Sequence, residues 1–424
     1  MQIKIEKVVY PGKSLSIQNG KVIFTDEGLP DEIVEIELLK TKSNYIEAKT
    51  INTIEQSDKR VMPRCAHYKA CSSYQYIDYN YQLLIKEKQV KDDFAHHLGQ
   101  ELKNFKIKSS QNIWGYRNKL RLNVIWNNGA DTLAYHDQNY QNRFVPIDSC
   151  FLASEKINKL FIATIKLVNE HKLQFIEEIE IKESKYSGEL LLMLFGKQNI
   201  ERSHLKHLTS LEENFPLAGI VYIERDRTRQ REVVSLGKNY IEEEILNKKF
   251  HIGSQSFFQI NIDMLKMLTE DINQTVKLCN FGIIADLYCG IGTFGIIFSD
   301  KAIKIIGAES AKENIYFLKK NIKINKINNY DIYEGMSEDL APKILEEKLN
   351  ILIVDPPRKG LERLMCQKLL KNCPKNIFYI SCNPSTLIRD LKMLLPRYKL
   401  VKMHGYDFFP HTPHIETFSI LDRK

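Results

Sequence analysis

The sequence predicts an α/β protein, with a doubly wound sheet in its carboxyl-terminal part, an OB-like β-barrel at its amino terminus and an α+β section between them. Three observations predict this fold. Residues 1–57 contain short apolar runs that alternate with polar residues and turns. Residues 286–295 (DLYCGIGTFG) read as a glycine loop between a strand and a helix. Residues 350–354 (NILIV) form an apolar run, as in a strand that a parallel sheet buries on both faces.

Length and composition limit the class of protein. The chain has 424 residues and 43% hydrophobic content, enough for about two or three domains with their own cores. No stretch approaches the roughly twenty apolar residues of a membrane helix, and the first residues, with Lys4, Glu6 and Lys7, lack a signal-peptide core. We therefore expect a cytoplasmic protein with no membrane partner, and we expect a monomer. A formal charge of +8 suits an RNA partner, but many basic enzymes share it.

The predicted barrel occupies residues 1–57. Apolar-rich runs at residues 21–24 (KVIF) and 32–38 (EIVEIEL) read as strands, and Gly12 and Gly20 mark turns. Strand composition cannot show what a barrel binds, so RNA and other partners both remain open. The side chains that would either contact RNA or form a solvated face are Lys40, Lys42, Tyr45 and Lys49.

The middle section, residues 58–250, combines a long helical stretch at 81–102 with several strand-like runs. Residues 114–121 (WGYRNKLR) interleave aromatic and cationic side chains, the mixture that stacks on bases and neutralises phosphates. Residues 225–231 (RDRTRQR) read equally well as an RNA contact or as a charged hairpin turn. The two cations that we select as RNA-binding candidates are Arg117 and Arg121.

The glycine loop predicts a nucleotide-binding site in residues 251–424. Gly290, Gly292 and Gly295 form a G-x-G-x-x-G pattern that lets the backbone approach a ligand closely. Glu309 ends the next apolar run, where a carboxylate can hold both hydroxyls of a ribose. On this pattern alone, NAD and S-adenosyl-L-methionine fit equally well.

The next strand favours S-adenosyl-L-methionine. Residues 355–358 (DPPR) follow the apolar strand at the carboxyl edge, where α/β sheets bind ligands. The motif resembles a methyltransferase signature in which Asp355 faces the methyl donor and the prolines stiffen the loop. In enzymes that methylate the exocyclic amines of bases, an aromatic residue usually comes next. Arg358 stands there instead, which argues against amine methylation.

Two later segments carry candidate catalytic groups. Residues 379–386 (YISCNPST) place Cys382 where a strand opens into a turn, which suits an exposed nucleophile, although a core cysteine is the commoner reading of the local pattern. Residues 411–417 (HTPHIET) offer Glu416 as a general base. A solvated loop is the commoner reading here too. The two histidines and the glutamate could also be metal ligands, but a three-ligand site within one proline-containing loop is geometrically poor.

A thiol and a carboxylate together suit one reaction in particular. Uracil C5 is too weak a nucleophile to attack a sulfonium methyl directly, so a thiolate must first add at C6 and generate an enolate. A base must then remove the C5 proton so that the cysteine can leave. The chain offers a thiol, a carboxylate and a donor loop for these steps.

At this point the sequence resembles the RNA uracil-C5 methyltransferases, which make 5-methyluridine in ribosomal and transfer RNA. Six motifs occur in the family's order and spacing. They are residues 257–261 (FFQIN), 286–290 (DLYCG), Glu309, 355–358 (DPPR), 381–384 (SCNP) and 411–416 (HTPHIE). The resemblance implies a TRAM barrel at 1–57, an RNA-binding domain at 58–250 and a Rossmann-like class I methyltransferase domain at 251–424.

The resemblance also assigns site residues. It implies Cys382 as nucleophile and Glu416 as base. The donor-binding positions that it implies are Gln259, Tyr288, Glu309 and Asp355. Thr293 replaces the asparagine of some members and Gly335 replaces a side chain that is often polar, so the family's contacts at these two positions do not carry over directly.

The cysteines match only part of another family feature. Many relatives hold a [4Fe–4S] cluster on C-x5-C-x2-C plus a distant cysteine. Cys65, Cys71 and Cys150 occupy three of these positions, but Tyr74 stands at the remaining one and is an unusual iron ligand, so a cluster is left open. No ligand spacing involves Cys279, Cys289, Cys366 and Cys373. Without a secretion signal we do not expect disulfides.

The RNA target is the least determined feature. The barrel and the partial cysteine pattern favour a uridine of 23S ribosomal RNA, and the T-loop uridine of transfer RNA is the main rival. A different class of function is an RNA-binding or assembly protein that keeps the fold but not the chemistry. The intact thiol, base and donor loop argue against that reading.

Overall fold

The computed structural model describes residues 1–127, 129–137, 143–225, 230–278 and 282–424. Within these ranges the chain forms a curled amino-terminal sheet, a mixed middle sheet, a hairpin and a carboxyl-terminal α/β sheet. In the described part, no helix is long and apolar enough to cross a membrane.

The amino-terminal sheet is a curled half-barrel, as predicted. Its strands are β1 (Gln2–Lys4), β2 (Lys7–Val9), β3 (Lys13–Gln18), β4 (Lys21–Thr25), β5 (Ile33–Thr41) and β6 (Tyr45–Glu55). They are ordered β1-β5-β6-β4-β3-β2. Alternate side chains point inward and form a small apolar core, because successive residues of a strand face opposite sides. The members of this core include Ile3, Ile5, Ile23, Val34 and Ile36.

The middle section contains two helices, a sheet and a further helix. The elements are α1 (Tyr68–Cys71), α2 (Tyr79–Leu98), β7 (Ile107–Lys108), β8 (Lys119–Asn127), β9 (Ala130–His136), β10 (Phe144–Pro146), α3 (Glu155–Glu170), β11 (Glu178–Glu183), β12 (Leu190–Gly196), β13 (Leu217–Arg225) and β14 (Gln230–Gly237). The sheet order is β10-β9-β8-β11-β12-β13-β14, and α3 packs its apolar face on the sheet. A 3₁₀ helix (Arg202–Glu213) precedes β13, and a hairpin of β15 (Tyr240–Ile245) and β16 (Lys248–Gly253) follows β14.

The carboxyl-terminal part is the predicted doubly wound domain. Its elements are α4 (Ile262–Leu278), β17 (Ile283–Leu287), α5 (Thr293–Phe298), β18 (Lys304–Glu309), α6 (Lys312–Ile324), β19 (Tyr330–Glu334), α7 (Ser337–Ile344), β20 (Leu349–Val354), α8 (Arg363–Asn372), β21 (Asn376–Ser381), α9 (Pro384–Leu394), β22 (Tyr398–Tyr406) and β23 (Glu416–Arg423). The strand order is β19-β18-β17-β20-β21-β23-β22-β7. β23 runs antiparallel to both of its neighbours. The winding direction reverses between β17 and β20, so a ligand crevice is expected at the carboxyl ends of these strands.

Two elements of the middle section pack against the carboxyl-terminal sheet. The short strand β7 pairs in parallel with the end of β22, and α2 packs on α9. Residues on α2 therefore reach the loop between β22 and β23, which precedes Glu416. The boundaries at residues 57 and 250 stay a prediction.

Candidate active site

Cys382 and Glu416 are neighbours at the adjoining ends of β21 and β23. Ser381, the last residue of β21, pairs with Thr417 of β23, and the Thr417 hydroxyl donates to the Ser381 carbonyl at 2.9 Å. One step further along this antiparallel register, Cys382 leaves β21 beside Glu416, the first residue of β23. The register thus brings together a thiol and a carboxyl group that the sequence separates by more than thirty residues.

The surroundings of Cys382 favour the neutral thiol in the free protein. Burial raises the pKa of Cys382 to about 11, and the carboxyl groups of Glu416 and Asp355 add to the rise. Arg358, which is exposed on the adjacent loop, acts in the opposite direction and lowers this pKa. The same four groups are therefore close enough to influence one another, and additional positive charge would make the thiol more acidic.

Glu416 is buried beside this cluster. Only 2% of the residue is exposed, and burial together with the Asp355 carboxyl raises its pKa well above the usual value. Its Oε1 has no hydrogen-bond partner among the described residues. A buried carboxyl group with a free oxygen and a high proton affinity is suited to accept a proton from a ligand.

Hydrogen bonds join the two loops around Cys382. The Asn383 side chain donates to the Arg358 carbonyl at 3.1 Å, and the Thr386 hydroxyl donates to the same carbonyl at 3.3 Å. Asn383 also precedes α9, and Pro384 occupies its first turn, where a missing backbone N–H costs nothing. The loop that follows Asp355 is therefore fixed relative to the thiol.

A second cluster of carboxyl groups lies at the ends of β17, β18 and β20. Glu309 accepts from the Gly290 backbone N–H at 2.9 Å and from those of Ser310 and Ala311 at 2.8 and 2.7 Å. Asp286 is fully buried and accepts from the Gly295 N–H at 2.9 Å. Burial raises the pKa of Asp286 to about 7, with contributions from Asp355 and Glu309. Burial likewise raises the pKa of Asp355 to about 7.

This cluster fits a cationic nucleoside such as S-adenosyl-L-methionine. Asp286 Oδ1 is buried and lacks a hydrogen-bond partner among the described residues, so it can accept from a ligand ammonium group. A Cβ placed on Gly290, whose φ is +57°, would meet no described atom within 4 Å, so the space beside this glycine is open. The positive charges of the donor would relieve the repulsion among carboxyl groups that burial makes costly.

The other predicted donor positions are Tyr288, which lies in this loop, and Gln259, which the described contacts do not connect to it. Tyr288 has a φ of 62° and directs its hydroxyl to Glu338 Oε1 at 2.9 Å, and its backbone N–H donates to the Ser337 hydroxyl at 3.0 Å. Gln259 is half-buried, and its carbonyl accepts from the Asn118 side chain at 3.2 Å. Thr293 is the first residue of α5 and lies within the glycine-rich segment. Gly335 follows β19 with a φ of 150°, a conformation that disfavours a side chain.

The loop before Glu416 is fixed by residues that the motifs did not reveal. Lys86 of α2 forms a fully buried ion pair with Asp407, with Nζ and Oδ1 2.6 Å apart. Gln82 accepts from the His411 backbone N–H at 2.9 Å and contacts the His411 ring nitrogen at 3.1 Å. Trp114 stacks on the His411 ring with 3.8 Å between centroids. These partners fix the position of His411. The sequence left open a metal site made of His411, His414 and Glu416, but the described residues contain no group of three or more His, Cys, Asp and Glu side chains suited to a metal ion.

Comparison with known proteins identifies the family. The model of the tRNA (uracil-5-)-methyltransferase family matches residues 78–424. The chain belongs to this family. A Clostridium tetani protein described as an uncharacterized RNA methyltransferase is 30% identical over 433 aligned positions, which cover 97% of this chain and 93% of that protein. A Staphylococcus epidermidis protein with the same description is 30% identical over 450 positions, covering 100% and 98% of the two chains.

A solved structure supports the fold. The Pyrococcus abyssi tRNA (uracil-54, C5)-methyltransferase, crystallised with S-adenosyl-L-homocysteine, superposes with a TM-score of 0.79 at 23% identity. The match covers 99% of this chain and 100% of that one, so the predicted fold class is confirmed over the whole length. As a family member, this chain is an S-adenosyl-L-methionine-dependent enzyme that methylates uridine C5 in RNA.

The family's iron–sulfur cluster is not confirmed for this methyltransferase. Burial raises the pKa of Cys65 and raises that of Cys71 to about 11, and Cys150 adds to both shifts, so the three thiols lie near one another. Tyr74, at the remaining ligand position, is buried elsewhere, in the cluster that joins the barrel to α2. Its hydroxyl accepts from Gln89 at 3.0 Å. The three thiols, without a fourth ligand from Tyr74, do not complete the family's four-ligand set, and no step below uses a cluster.

The predicted RNA-binding arginines of the methyltransferase have partners within the protein. Arg121 pairs with Glu178, and its guanidinium carbon lies 3.8 Å from the centre of the Phe195 ring. Arg117 is half-buried with its guanidinium group 5.9 Å from the centre of the Tyr116 ring, and its Nε has no hydrogen-bond partner among the described residues. Residues 226–229 of the arginine-rich segment lie outside the described residues, as does Cys279, so that segment and these RNA contacts stay predictions.

Proposed function

We propose that this enzyme methylates C5 of a uridine in 23S ribosomal RNA, with Cys382 as the nucleophile and Glu416 as the base. The observation that carries the proposal is the position of the Cys382 thiol and the buried Glu416 carboxyl group on adjoining strand ends, with Asp355 and Arg358 beside them. A site that must add a thiolate to one face of a pyrimidine and then remove a proton needs both groups within reach of one base.

The first step requires the thiolate of Cys382. In the free protein this thiol is neutral near pH 7, because burial and two carboxyl groups raise its pKa. Arg358 is the nearby residue that favours the thiolate, and the thiol proton passes to solvent, which leaves the Glu416 carboxylate available for the final step. The Cys382 sulfur then forms a bond to uracil C6, and the electron pair of the C5–C6 double bond moves toward O4 as an enolate.

The donor is proposed to lie over the glycine loop. We propose that Asp286, Glu309 and Asp355 provide negative charge and ribose contacts, and that Tyr288 and Gln259 also contact the donor. When bound, S-adenosyl-L-methionine supplies the methyl group for C5 and a positive charge close to the thiol. The protein's contribution is to hold these groups in a fixed arrangement with little water.

The final step belongs to Glu416. Its carboxylate removes the proton from the methylated C5, the C5–C6 double bond re-forms, and the bond between C6 and the Cys382 sulfur breaks. A carboxyl group whose pKa is raised by burial is a strong enough base for this transfer once it is ionised. The products are the 5-methyluridine residue, S-adenosyl-L-homocysteine, the Cys382 thiolate and a protonated Glu416.

The choice of ribosomal RNA rests on the amino-terminal half-barrel and on the cysteine positions that remain of the cluster motif. Transfer RNA is the second candidate, since the matching family description and the Pyrococcus abyssi structure both name tRNA enzymes. Neither the barrel nor the cysteines distinguish one uridine from another.

The deciding experiment is tritium release from RNA labelled at uracil C5. Purified enzyme and S-adenosyl-L-methionine are incubated separately with ribosomal and transfer RNA that lack the modification. Release equal to methyl incorporation, from the ribosomal pool only, is the expected result. Release from transfer RNA only would replace the proposed substrate. Methyl incorporation without release would contradict C5 chemistry.

A further inference from the structure

The barrel contacts the loop between β22 and β23 (residues 407–415, the catalytic loop) through the turn between β2 and β3. A Cβ placed on Gly12 in this turn would lie 3.3 Å from the Pro413 ring. Nearby, the Tyr74 backbone N–H donates to the His411 carbonyl at 3.1 Å. Residues that immediately precede Glu416 in sequence are thus in contact with the barrel and with the segment that follows it.

Tyr10 extends from this turn to the mouth of the site. Its hydroxyl lies 3.4 Å from His414 Nδ1, and the two rings meet edge to face with centroids 6.0 Å apart. Burial raises the pKa of Tyr10, and Arg358 and Cys382 both modify that shift, which places the phenol within electrostatic range of the proposed nucleophile. Even so, 38% of Tyr10 remains exposed.

His414 is suited to orient this ring. Burial lowers the pKa of His414 to about 4, with further lowering by Arg358, so the imidazole is neutral near pH 7. In the neutral ring, Nδ1 can accept a hydrogen bond from the Tyr10 hydroxyl. The edge-to-face contact leaves part of the tyrosine surface free toward solvent, beside the exposed Arg358.

We propose that the Tyr10 ring is the stacking surface for the nucleotide next to the target uridine. This inference rests on the proposed function, because a uridine that enters between Cys382 and Glu416 must leave its own base stack. Its neighbour then loses a stacking partner, and an exposed aromatic ring at the mouth of the site replaces it. Arg358 would lie beside the connecting phosphate. The barrel would therefore select substrate at the catalytic site itself, in addition to any grip on distant RNA.

Kinetics of three variants test the role of Tyr10. Tyr10→Ala removes the ring, Tyr10→Phe keeps the ring without the hydroxyl, and Ile17→Ala changes another exposed residue of the barrel, on β3. We expect Tyr10→Ala to lower kcat/KM for RNA about tenfold, mainly through KM, as loss of one base stack would. We expect Tyr10→Phe and Ile17→Ala to match the unaltered enzyme. Calorimetric affinity for S-adenosyl-L-homocysteine should be equal in all four proteins.

A fluorescent base gives a direct readout of stacking. Short single-stranded RNAs carry 5-fluorouridine with 2-aminopurine on its 5′ side in one and on its 3′ side in the other. We expect bound 2-aminopurine to be quenched in one of the two RNAs by the unaltered enzyme and by Tyr10→Phe, but to be brighter with Tyr10→Ala. Equal emission with all proteins in both RNAs would overturn the proposal. An equal loss of quenching in Tyr10→Phe and Tyr10→Ala would also overturn the proposal. The contact between the Tyr10 hydroxyl and His414, and not stacking by the ring, would then be responsible for the quenching.

The two proposals fail in different ways. If the unaltered enzyme released no tritium from any RNA pool, the proposed function would fail, and the emission measurement would still decide whether Tyr10 stacks on bound RNA. If tritium release were normal and insensitive to Tyr10→Ala, only the stacking proposal would fail.

Discussion

The donor side and the nucleobase side of the site are built in different ways. The proposed donor side consists of Asp286, Glu309 and Asp355, which lie at or next to the ends of three adjacent parallel strands, β17, β18 and β20. The nucleobase side combines strand ends of the same sheet with residues from the barrel and from α2, hundreds of residues earlier in the chain. The donor side therefore follows from one sheet, and the nucleobase side depends on packing among all parts of the molecule.

This difference has a physical consequence. Parallel strands connected by helices place their carboxyl ends together by topology alone, so donor groups need little outside support. The loop before Glu416 does not connect parallel strands, so the sheet alone does not fix it. It is held by the buried ion pair of Lys86 and Asp407 and by the stack of Trp114 on His411. Changes far from the chemistry should therefore affect the nucleobase side more than the donor side.

The largest expected effect comes from the proposed nucleophile. Cys382→Ala should reduce methyl transfer by at least about 10⁴-fold, because it removes the group that is proposed to add to C6. It should also abolish the covalent adduct with 5-fluorouridine RNA, read by gel electrophoresis, while donor affinity stays unchanged. Cys373→Ala, which removes a half-buried thiol near the end of α8, is the matched control and should retain activity. Turnover by Cys382→Ala would disprove the mechanism.

The next effect concerns the proposed base. Glu416→Gln keeps the shape of a side chain that is 2% exposed but cannot accept the C5 proton. Turnover should fall about 10²- to 10⁴-fold, and a covalent complex with methylated RNA should accumulate. Mass spectrometry of the complex measures this directly. Glu362→Gln, on an exposed residue that pairs with Lys359, should release product normally. If Glu416→Gln released product at the normal rate, another group would be the base.

The contrast also explains which residues the sequence could predict. The glycine loop, Glu309 and the Asp-Pro-Pro-Arg turn are local patterns with a known mechanical meaning, so they could be predicted before any fold was seen. Cys382 and Glu416 became convincing only together, because each pattern alone has a commoner structural reading.

The remaining contacts could not be predicted. Lys86 and Lys88 lie in the same polar stretch of α2, yet only Lys86 is buried, because its face of the helix packs on the catalytic loop. Tyr10 belongs to an ordinary barrel turn, and its place beside His414 depends on how the barrel docks. For Tyr74 the sequence was misleading in the opposite way. Its spacing from Cys65 and Cys71 matches a cluster-ligand position, but its side chain packs in the apolar cluster between the barrel and α2.

A smaller effect, on stability, should follow from breaking the buried ion pair. Lys86→Met leaves Asp407 buried without its cation and should cost about 3–5 kcal/mol of unfolding free energy, measured by urea denaturation. Lys319→Met breaks an exposed pair with Glu334 and should cost at most about 1 kcal/mol. Adding Asp407→Asn to Lys86→Met should recover part of the loss. Equal costs for Lys86→Met and Lys319→Met would show that the pair does not hold the loop.

The smallest expected effect is on the affinity for S-adenosyl-L-methionine, which should depend on pH. The pKa of Asp286 is raised from 3.8 to about 7, so in the donor-free protein its ionisation opposes folding increasingly as pH rises between those values. A cationic donor favours the carboxylate, so its binding must remove a proton below about pH 7. Affinity for S-adenosyl-L-methionine should therefore rise about tenfold between about pH 6 and pH 7.5, measured by calorimetry.

The variant Asp286→Asn tests whether the pH dependence of donor affinity comes from Asp286 or from titration elsewhere in the protein. This variant should bind the donor more weakly at pH 7.5, and its donor affinity should rise less steeply with pH. The rise that remains should be due to Asp355, whose pKa is also about 7. Asp331→Asn, on an exposed residue that pairs with Lys304, should reproduce the unaltered profile. RNA binding without donor should show no matching dependence, since Asp286 lies on the donor side. A donor affinity that falls as pH rises would mean that the ligand carries no positive charge into this cluster.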